Sequence, residues 1–469
     1  MASPDFDLVI LGAGSGGLTA AAFAAQLGAK VAIVEKNRIG GDCTWTGCVP
    51  SKALLKAAKI AHQARTASRF GIAGGQPVVD MTGVRDYVRQ AIRKVYRFES
   101  PEELRRQGIE VIPGAAQFID ANAITAGEST FRSKAFLITT GAHARIPEIA
   151  GLRDVPFLTY EQIFDNATLP RAMIVVGGGP VGMELAQAYQ RLGASVTVVA
   201  ECLLPRDEPE VGQLLRQVME SEGVRFLDGR ALSARREDGQ IVVATGRDEA
   251  RGDLLLVATG RSPCLAGLAL EQAGVQYTDA GIPVDDQLRT NVRHIYAAGD
   301  VVGSYQFTHL AGWQAFQAAR NALLPGSSSG RTEVLPWVTF TDPEASHVGL
   351  AEEQARAKFG DTVKARRWEM SRTDRAVCED DEAGFLKIIA RKDGTILGAT
   401  AVNSRAGEIV AEFALAIRHN LKVGDLAAII HPYPTYATAV QQLAGEMAVE
   451  ELLSGASGKM IRRLSKIMR

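Results

Sequence analysis

The sequence predicts an α/β fold with two Rossmann-like dinucleotide-binding modules followed by an α+β C-terminal domain, and three observations carry that prediction. The apolar run Asp7-Leu8-Val9-Ile10-Leu11 enters a glycine turn, Gly12-Ala13-Gly14-Ser15-Gly16-Gly17, which opens into an Ala-rich helical stretch from Leu18 to Leu27. The same order returns at Ala172-Met173-Ile174-Val175-Val176, followed by Gly177-Gly178-Gly179-Pro180-Val181-Gly182 and a second helical stretch. From Leu335 onward the pattern changes to alternating strands and two helices.

In the first module, Gly12 permits the tight turn, Gly14 lets the backbone approach a pyrophosphate, and Gly17 lets the helix pack closely. The phosphates then meet a helix N-terminus, where backbone N–H groups and the dipole favour an anion. A second strand, Lys30 to Val34, ends in Glu35, whose carboxylate can accept from an adenosine ribose hydroxyl. The next segment, Gly40-Gly41-Asp42-Cys43-Thr44-Trp45-Thr46-Gly47-Cys48-Val49-Pro50-Ser51-Lys52, holds two cysteines near the start of a helix, where a thiolate is favoured. Their spacing leaves room for a turn and a helical step to bring the sulfurs within bonding distance. Lys52 follows Cys48 by one helical turn and shares its face.

Residues 53 to 107 read as a long, mostly solvated helical excursion, and Val111 to Phe118 as a return to one strand. A strand ending Thr139-Thr140-Gly141 closes the segment. The second module begins near Pro156, places Glu201 at the end of the strand Ser195 to Val199, and closes with a similar strand ending Thr259-Gly260. A carboxylate at Glu201 accepts from a ribose 2′-hydroxyl and repels a 2′-phosphate, which favours NADH over NADPH, with Arg206 nearby as the one group able to reverse that choice. A further strand then delivers Asp300. The expected partition is residues 1–153, 154–280, 281–335 and 336–469.

Lys plus Arg number 52 against Asp plus Glu 53, which gives no reason to expect nucleic-acid binding and points to a small partner. No apolar run approaches the roughly 18 residues of a spanning helix, and Met1-Ala2-Ser3-Pro4 leads straight to the first strand, so a cytoplasmic protein is expected. Five cysteines do not make a secreted disulfide framework. Cys202, Cys264 and Cys378 read as structural. The tail from Lys459 to Arg469 holds five basic residues and no acid, with Met460, Ile461, Leu464 and Ile467 on one stripe. It reads either as a terminal helix on a dimer surface or as a contact for anionic membrane or an acidic partner.

Two fingerprints and a cysteine pair in this order resemble the class I pyridine nucleotide-disulfide oxidoreductases, the flavoprotein family of dihydrolipoamide dehydrogenase, glutathione reductase and mercuric reductase. The resemblance implies bound FAD, NAD(H) in preference to NADP(H), a Cys43–Cys48 redox disulfide, and a homodimer whose C-terminal domain completes the partner's active site. It implies that Cys48 contacts the flavin and Cys43 exchanges with substrate. It also implies that Lys52 sits beside the flavin N5, paired with Glu184, and that Asp300 holds the ribityl chain. The helix starting near Thr308-His309-Leu310 points its N–H groups at the flavin ring. Cofactor contacts are further implied at Ala116, Gly141, His309 and Gly260.

The family's disulfide reductases carry a His-Pro-Thr segment followed by glutamate. Here the stretch is His431-Pro432-Tyr433-Pro434-Thr435-Tyr436-Ala437-Thr438, which puts Tyr433 at the histidine position and Thr438 at the glutamate position. A phenol of pKa near 10 is a poor proton shuttle beside an imidazole near 6.5. The tyrosine is similar to that of mercuric reductase-like members, although this chain has no C-terminal cysteine pair. Three functions remain open: a disulfide or dithiol oxidoreductase with His431 as substitute base, a metal-ion reductase, and a redox-sensing or carrier-binding flavoprotein with little turnover.

Overall fold

The structure, a computed structural model, describes residues 3–303 and 305–468. Two compact units emerge, one of residues 1–177, 191–199 and 230–332 and the other of residues 178–190, 200–229 and 333–469.

The first unit is built on β1 (Phe6–Leu11), α1 (Ser15–Gln26), β2 (Val31–Glu35), α2 (Gly41–Trp45), α3 (Cys48–Thr66), α4 (Met81–Tyr96), α5 (Pro101–Arg106), β3 (Ile109–Pro113), β4 (Ala116–Asp120), β5 (Ala123–Ala126) and β6 (Ser129–Ile138). The strands hydrogen-bond in the order β3-β2-β1-β6-β5-β4, and Ile295–Ala297 adds to β6. β3, β2, β1, β6 and Ile295–Ala297 run parallel, whereas β6, β5 and β4 form an antiparallel meander. The parallel strands are apolar along their whole length because both faces are covered, and Leu8, Val9, Ile10 and Leu11 are all 0% exposed. The excursion after Lys52 is three helices rather than one, and each buries part of a face through residues such as Leu54, Val88 and Leu104. The strand expected from Val111 to Phe118 is two. Gly114, at φ +133°, turns the chain out of the parallel edge and into the meander, a conformation its apolar neighbours do not signal.

The internal repeat is exact in its hydrogen bonding. Gly12 N donates to Val34 O at 2.8 Å and Gly177 N to Val199 O at 3.0 Å; Thr139 N donates to Leu11 O and Ala258 N to Val176 O, both at 2.8 Å. A Cβ on Gly12 would fall 2.5 Å from Thr139 O, and one on Gly177 2.3 Å from Ala258 O. Each module thus backs its first glycine onto the carbonyl just past a parallel neighbour of its first strand. The second module's parallel strands are ordered Ser195–Ala200, Ala172–Val176, Leu254–Val257. Just past the two Thr-Gly ends, Ala142–Ala144 pairs antiparallel with Arg261–Pro263.

The second unit holds a five-stranded antiparallel sheet in the order Trp337–Thr339, Glu344–Gly349, Ile396–Asn403, Phe385–Arg391, Val363–Glu369. The expected hairpin between Phe385–Arg391 and Ile396–Asn403 turns through Gly394 at φ +82°. Helices Ala406–Arg418 and Thr438–Leu453 cover the sheet, with Phe413, Val440 and Leu443 in its core. The basic tail is helical, Gly455–Ile467, and exposes Met460, Leu464 and Ile467. No helix among the described residues is long and apolar enough to cross a membrane.

One buried charge group stands out in this unit. Lys387, whose side chain is 10% exposed, pairs with Glu208, with Glu210 at 3.0 Å and with Glu352 at 2.7 Å. Burial pushes Glu208 up despite the ammonium. Lys387→Met is expected to cost about 3–5 kcal/mol near pH 8, because it strands buried carboxylates. Those acids would then titrate above their unfolded values, so the variant binds protons on folding and its deficit shrinks as pH falls through that range. Paired denaturant melts at about pH 8 and about pH 5 measure both effects.

Candidate active site

The cysteine segment is held against the first glycine turn by backbone contact. Gly40 at φ +102° donates its N–H to Ala13 O at 2.8 Å, and a Cβ on Gly41 would sit 2.8 Å from Gly14 Cα. α2 is too short to be stable alone. Trp45 Nε1 donates to Ile39 O at 2.7 Å and Thr44 Oγ1 to Glu99 at 2.8 Å, while Trp45 packs on Tyr96. A Cβ on Gly47 would fall 2.8 Å from Asp42 O, so only glycine lets α2 and α3 meet closely enough to join Cys43 to Cys48.

Both residues are thiols. Cys48 is the first residue of α3 and lies 3.2 Å from Thr308 Oγ1, itself the first residue of the helix Thr308–Leu323. The Cys43 thiol is held far above its ordinary range, first by its hydrogen bond to Cys48 and then by burial, while hydrogen bonds from Thr308 and Ser15 oppose this. Ser15 begins α1. Three helix N-termini therefore meet at the two sulfurs and favour one negative charge there, while the neighbouring sulfur disfavours a second.

No local pattern marks the residue that ties this segment to the rest of the unit. Arg261 Nη2 bonds Asp42 Oδ2 at 2.6 Å, Nη1 bonds Asp300 Oδ2, and Nε donates to Tyr160 OH at 3.1 Å; Tyr160 in turn donates to Asp42 at 3.0 Å. Burial pushes Asp300 up and Arg261 draws it back, the former being larger. Burial likewise raises the Tyr160 phenol.

The residues fit an FAD adenosine and pyrophosphate. α1 has Gly14 at its N-cap, with no side-chain cap and no acid in its first turn, so its N–H groups are available to an anion. Glu35 Oε2 accepts from Ala13 N at 2.8 Å and Oε1 from Asn37 N at 2.7 Å, which fixes the carboxylate at the strand end beside the turn. Gly17 backs onto Gly12 O, where a Cβ would be 2.0 Å away. Gly16, which the spacing did not single out, faces Ala311 O and Ala315 and seats α1 on the helix Thr308–Leu323. Ala116 opens β4, and Gly141 turns at φ +71°. His309 stacks on Phe307 at 5.3 Å.

In the second fingerprint, Gly178 is the crowded glycine, with a Cβ 2.3 Å from Cys202 O, whereas a Cβ on Gly179 meets open space. Gly182 lies in the helix Pro180–Leu192, Glu201 is exposed past its strand, and Gly260 at φ +116° sits against Arg145. Glu184, 5% exposed, accepts from Phe340 N at 2.9 Å, and Lys52 Nζ donates to Ser51 Oγ at 3.3 Å. Cys202 and Cys378 are exposed, and Cys264 is half-buried beside His143 at 3.5 Å.

In the second unit the segment 431–438 displays a phenol and withdraws an imidazole. Tyr433 is 71% exposed, whereas the His431 side chain is 6% exposed, with Nε2 on Glu412 at 3.1 and 3.2 Å and Nδ1 on Ile429 O at 3.2 Å. Thr438 donates to Thr435 O at 2.6 Å.

Two family profiles match the chain: pyridine nucleotide-disulphide oxidoreductase over residues 6–315, and the dimerisation domain of the same family over residues 335–444. The mercuric reductase of Bacillus cereus is 33% identical over 93% of this chain and 70% of its own length. The dihydrolipoyl dehydrogenase of Haloferax volcanii is 36% identical over 93% of this chain and 95% of its own. Among solved structures, LpdA from Mycobacterium tuberculosis superposes with a TM-score of 0.86 at 28% identity, covering 94% of this chain and 99% of that one. The HOCl-induced flavoprotein disulfide reductase RclA from Escherichia coli gives 0.85 at 25% identity, with the same coverage.

Arg261→Met is expected to cost about 3–5 kcal/mol, because it leaves Asp42 and Asp300 without their cation. Adding Asp300→Ala should return part of that loss, since one uncompensated acid is then gone. A double-mutant cycle by chemical denaturation reads the coupling.

Proposed function

Since this chain belongs to the pyridine nucleotide-disulphide oxidoreductase family, whose members use FAD, a pyridine nucleotide and a redox-active disulfide, we propose that it takes electrons from NADH, holds them on Cys43 and Cys48, and delivers them to a soft, thiol-seeking cation such as mercury(II). Bound FAD supplies the two-electron chemistry between nicotinamide and thiols. Gly12, Gly14, Gly17, Glu35 and Asp300 hold it, and Lys52 keeps a positive charge at its ring. Cys48 is the flavin-side thiol and Cys43 the outward one. Glu201 selects NADH by accepting from the ribose 2′-hydroxyl. The matched dimerisation domain supports a homodimer.

The observation that carries the acceptor class is the exchange at the 431–438 segment. A small disulfide needs its leaving thiolate protonated, and positioned acid–base help is worth about 10²–10⁴-fold. The exposed group here is a phenol, and the only imidazole in the segment is buried with both nitrogens engaged. A soft cation needs two thiolates and no proton. The second reading, a lipoyl-type disulfide, is favoured by the His431–Glu412 pair, an imidazole with a carboxylate behind it.

A panel of mercury(II), copper(II), lipoamide and glutathione disulfide with NADH separates the two by kcat/KM, with the metal ions expected to lead. Turnover of lipoamide at about 1–10³ s⁻¹, lost in His431→Ala together with a limb of the pH profile, would establish the second reading instead. For the thiols, partial reduction should give a long-wavelength charge-transfer band that Cys48→Ser abolishes and Cys43→Ser preserves; the reverse pattern would exchange their roles. NADPH outperforming NADH would overturn the reading of Glu201.

A further inference from the structure

The Tyr433 hydroxyl is exposed and at the same time committed. It donates to Asp374 Oδ2 at 2.5 Å. Asp374 starts the short turn Asp374–Cys378, which is fixed from beneath: Thr373 is 0% exposed, its Oγ1 accepts from Trp368 Nε1 at 3.0 Å, and Ala376 is 0% exposed. The far end of the same loop is fixed by a second phenol. Tyr436, 4% exposed, donates to Asp381 at 2.9 Å and bonds Glu379 at 3.1 Å. Two tyrosines thus bind the 433–436 stretch to carboxylates of the 374–381 loop, one buried and one at the surface.

A phenol has one proton and two lone pairs. With the proton directed at a carboxylate, the oxygen shows only lone pairs to anything that approaches from solvent, and the anion behind makes it more negative. We propose that Asp374 is a positioning residue that converts Tyr433 from a hydrogen-bond donor into an acceptor, and so selects cationic or donor-bearing electron acceptors against those that depart as thiolates. This rests on the reading that Tyr433 meets the acceptor. It also explains how a side chain that would ordinarily donate to a thiolate is compatible with a site that lacks a proton shuttle.

The ionisable groups acting on Tyr433 are Asp374, through the hydrogen bond and its charge, and more weakly Cys378; both raise the phenol above its ordinary value. Removing the carboxylate charge must therefore let the phenolate form at lower pH.

The test uses the flavin-loaded, full-length enzyme with Asp374→Asn, which keeps size and a carbonyl acceptor, and Asp374→Ala, which removes both. The ratio of kcat/KM for copper(II) to that for a quinone is expected to fall about tenfold, the scale of one charge-assisted hydrogen bond. Ultraviolet difference titration, with Tyr433→Phe subtracted, should show the phenolate appearing at lower pH in Asp374→Asn than in the parent. An unchanged titration overturns the proposal, and so does an equal fall with copper(II) and quinone. If the parent reduces no cation, the soft-cation reading fails, and the titration alone then judges whether Asp374 controls the phenol: a downward shift upholds that control and no shift overturns it.

Discussion

The first unit depends on one guanidinium. Arg261 gathers Asp42 from the cysteine segment, Tyr160 from the crossover and Asp300 from the turn after Ile295–Ala297. These belong to three stretches of chain with no local reason to be neighbours. Two carboxylates this close, one of them largely buried, would repel each other and lose hydration without a cation between them. Arg261 supplies that cation and has enough fixed donors to satisfy all three partners. Since α2 is five residues long, the position of Cys43 follows from how Asp42, Thr44 and Trp45 are tethered, and the Arg261 contact is the strongest of those tethers.

This explains what could be read in the sequence and what could not. The glycine turns, the strand-end Glu35, the cysteine segment and the helix start at Thr308 are local patterns, and each lies where its pattern says. Arg261 and Asp42 are 219 residues apart, and no periodicity connects them. Gly16 and Gly178 are invisible to local spacing for a related reason: what crowds them is Ala311 O and Cys202 O, which the fold brings up from elsewhere in the chain. The break at Gly114 was hidden because apolar residues continue on both sides of it. In the second unit the exchange of histidine for Tyr433 was legible, but the withdrawal of His431 onto Glu412 and the hydrogen bond from Tyr433 to Asp374 are tertiary facts.

The thiol pair combines two opposing influences. Three helix N-termini, at Ser15, Cys48 and Thr308, lower the cost of negative charge at the sulfurs. The sulfur–sulfur contact raises the cost of a second charge, and burial adds to it, so both hold the Cys43 thiol above its ordinary range. A pair poised in this way holds one charge more readily than two. In exchange with a disulfide the remaining proton passes to the departing thiolate. With a soft cation the metal takes the proton's place, by the same electrostatics that it uses on any ligating cysteine.

The same logic applies to the exposed phenol. A histidine is useful to a disulfide reductase because it can be cationic when the thiolate departs and neutral when the thiol must be deprotonated. The Tyr433–Asp374 pair has no cationic state. Its two forms are a neutral phenol on an anion and a more highly charged anion, so every state it reaches is electron-rich toward the solvent side. A phenol that offers only lone pairs suits a positively charged acceptor, and that is the property on which the proposed preference for a soft cation rests.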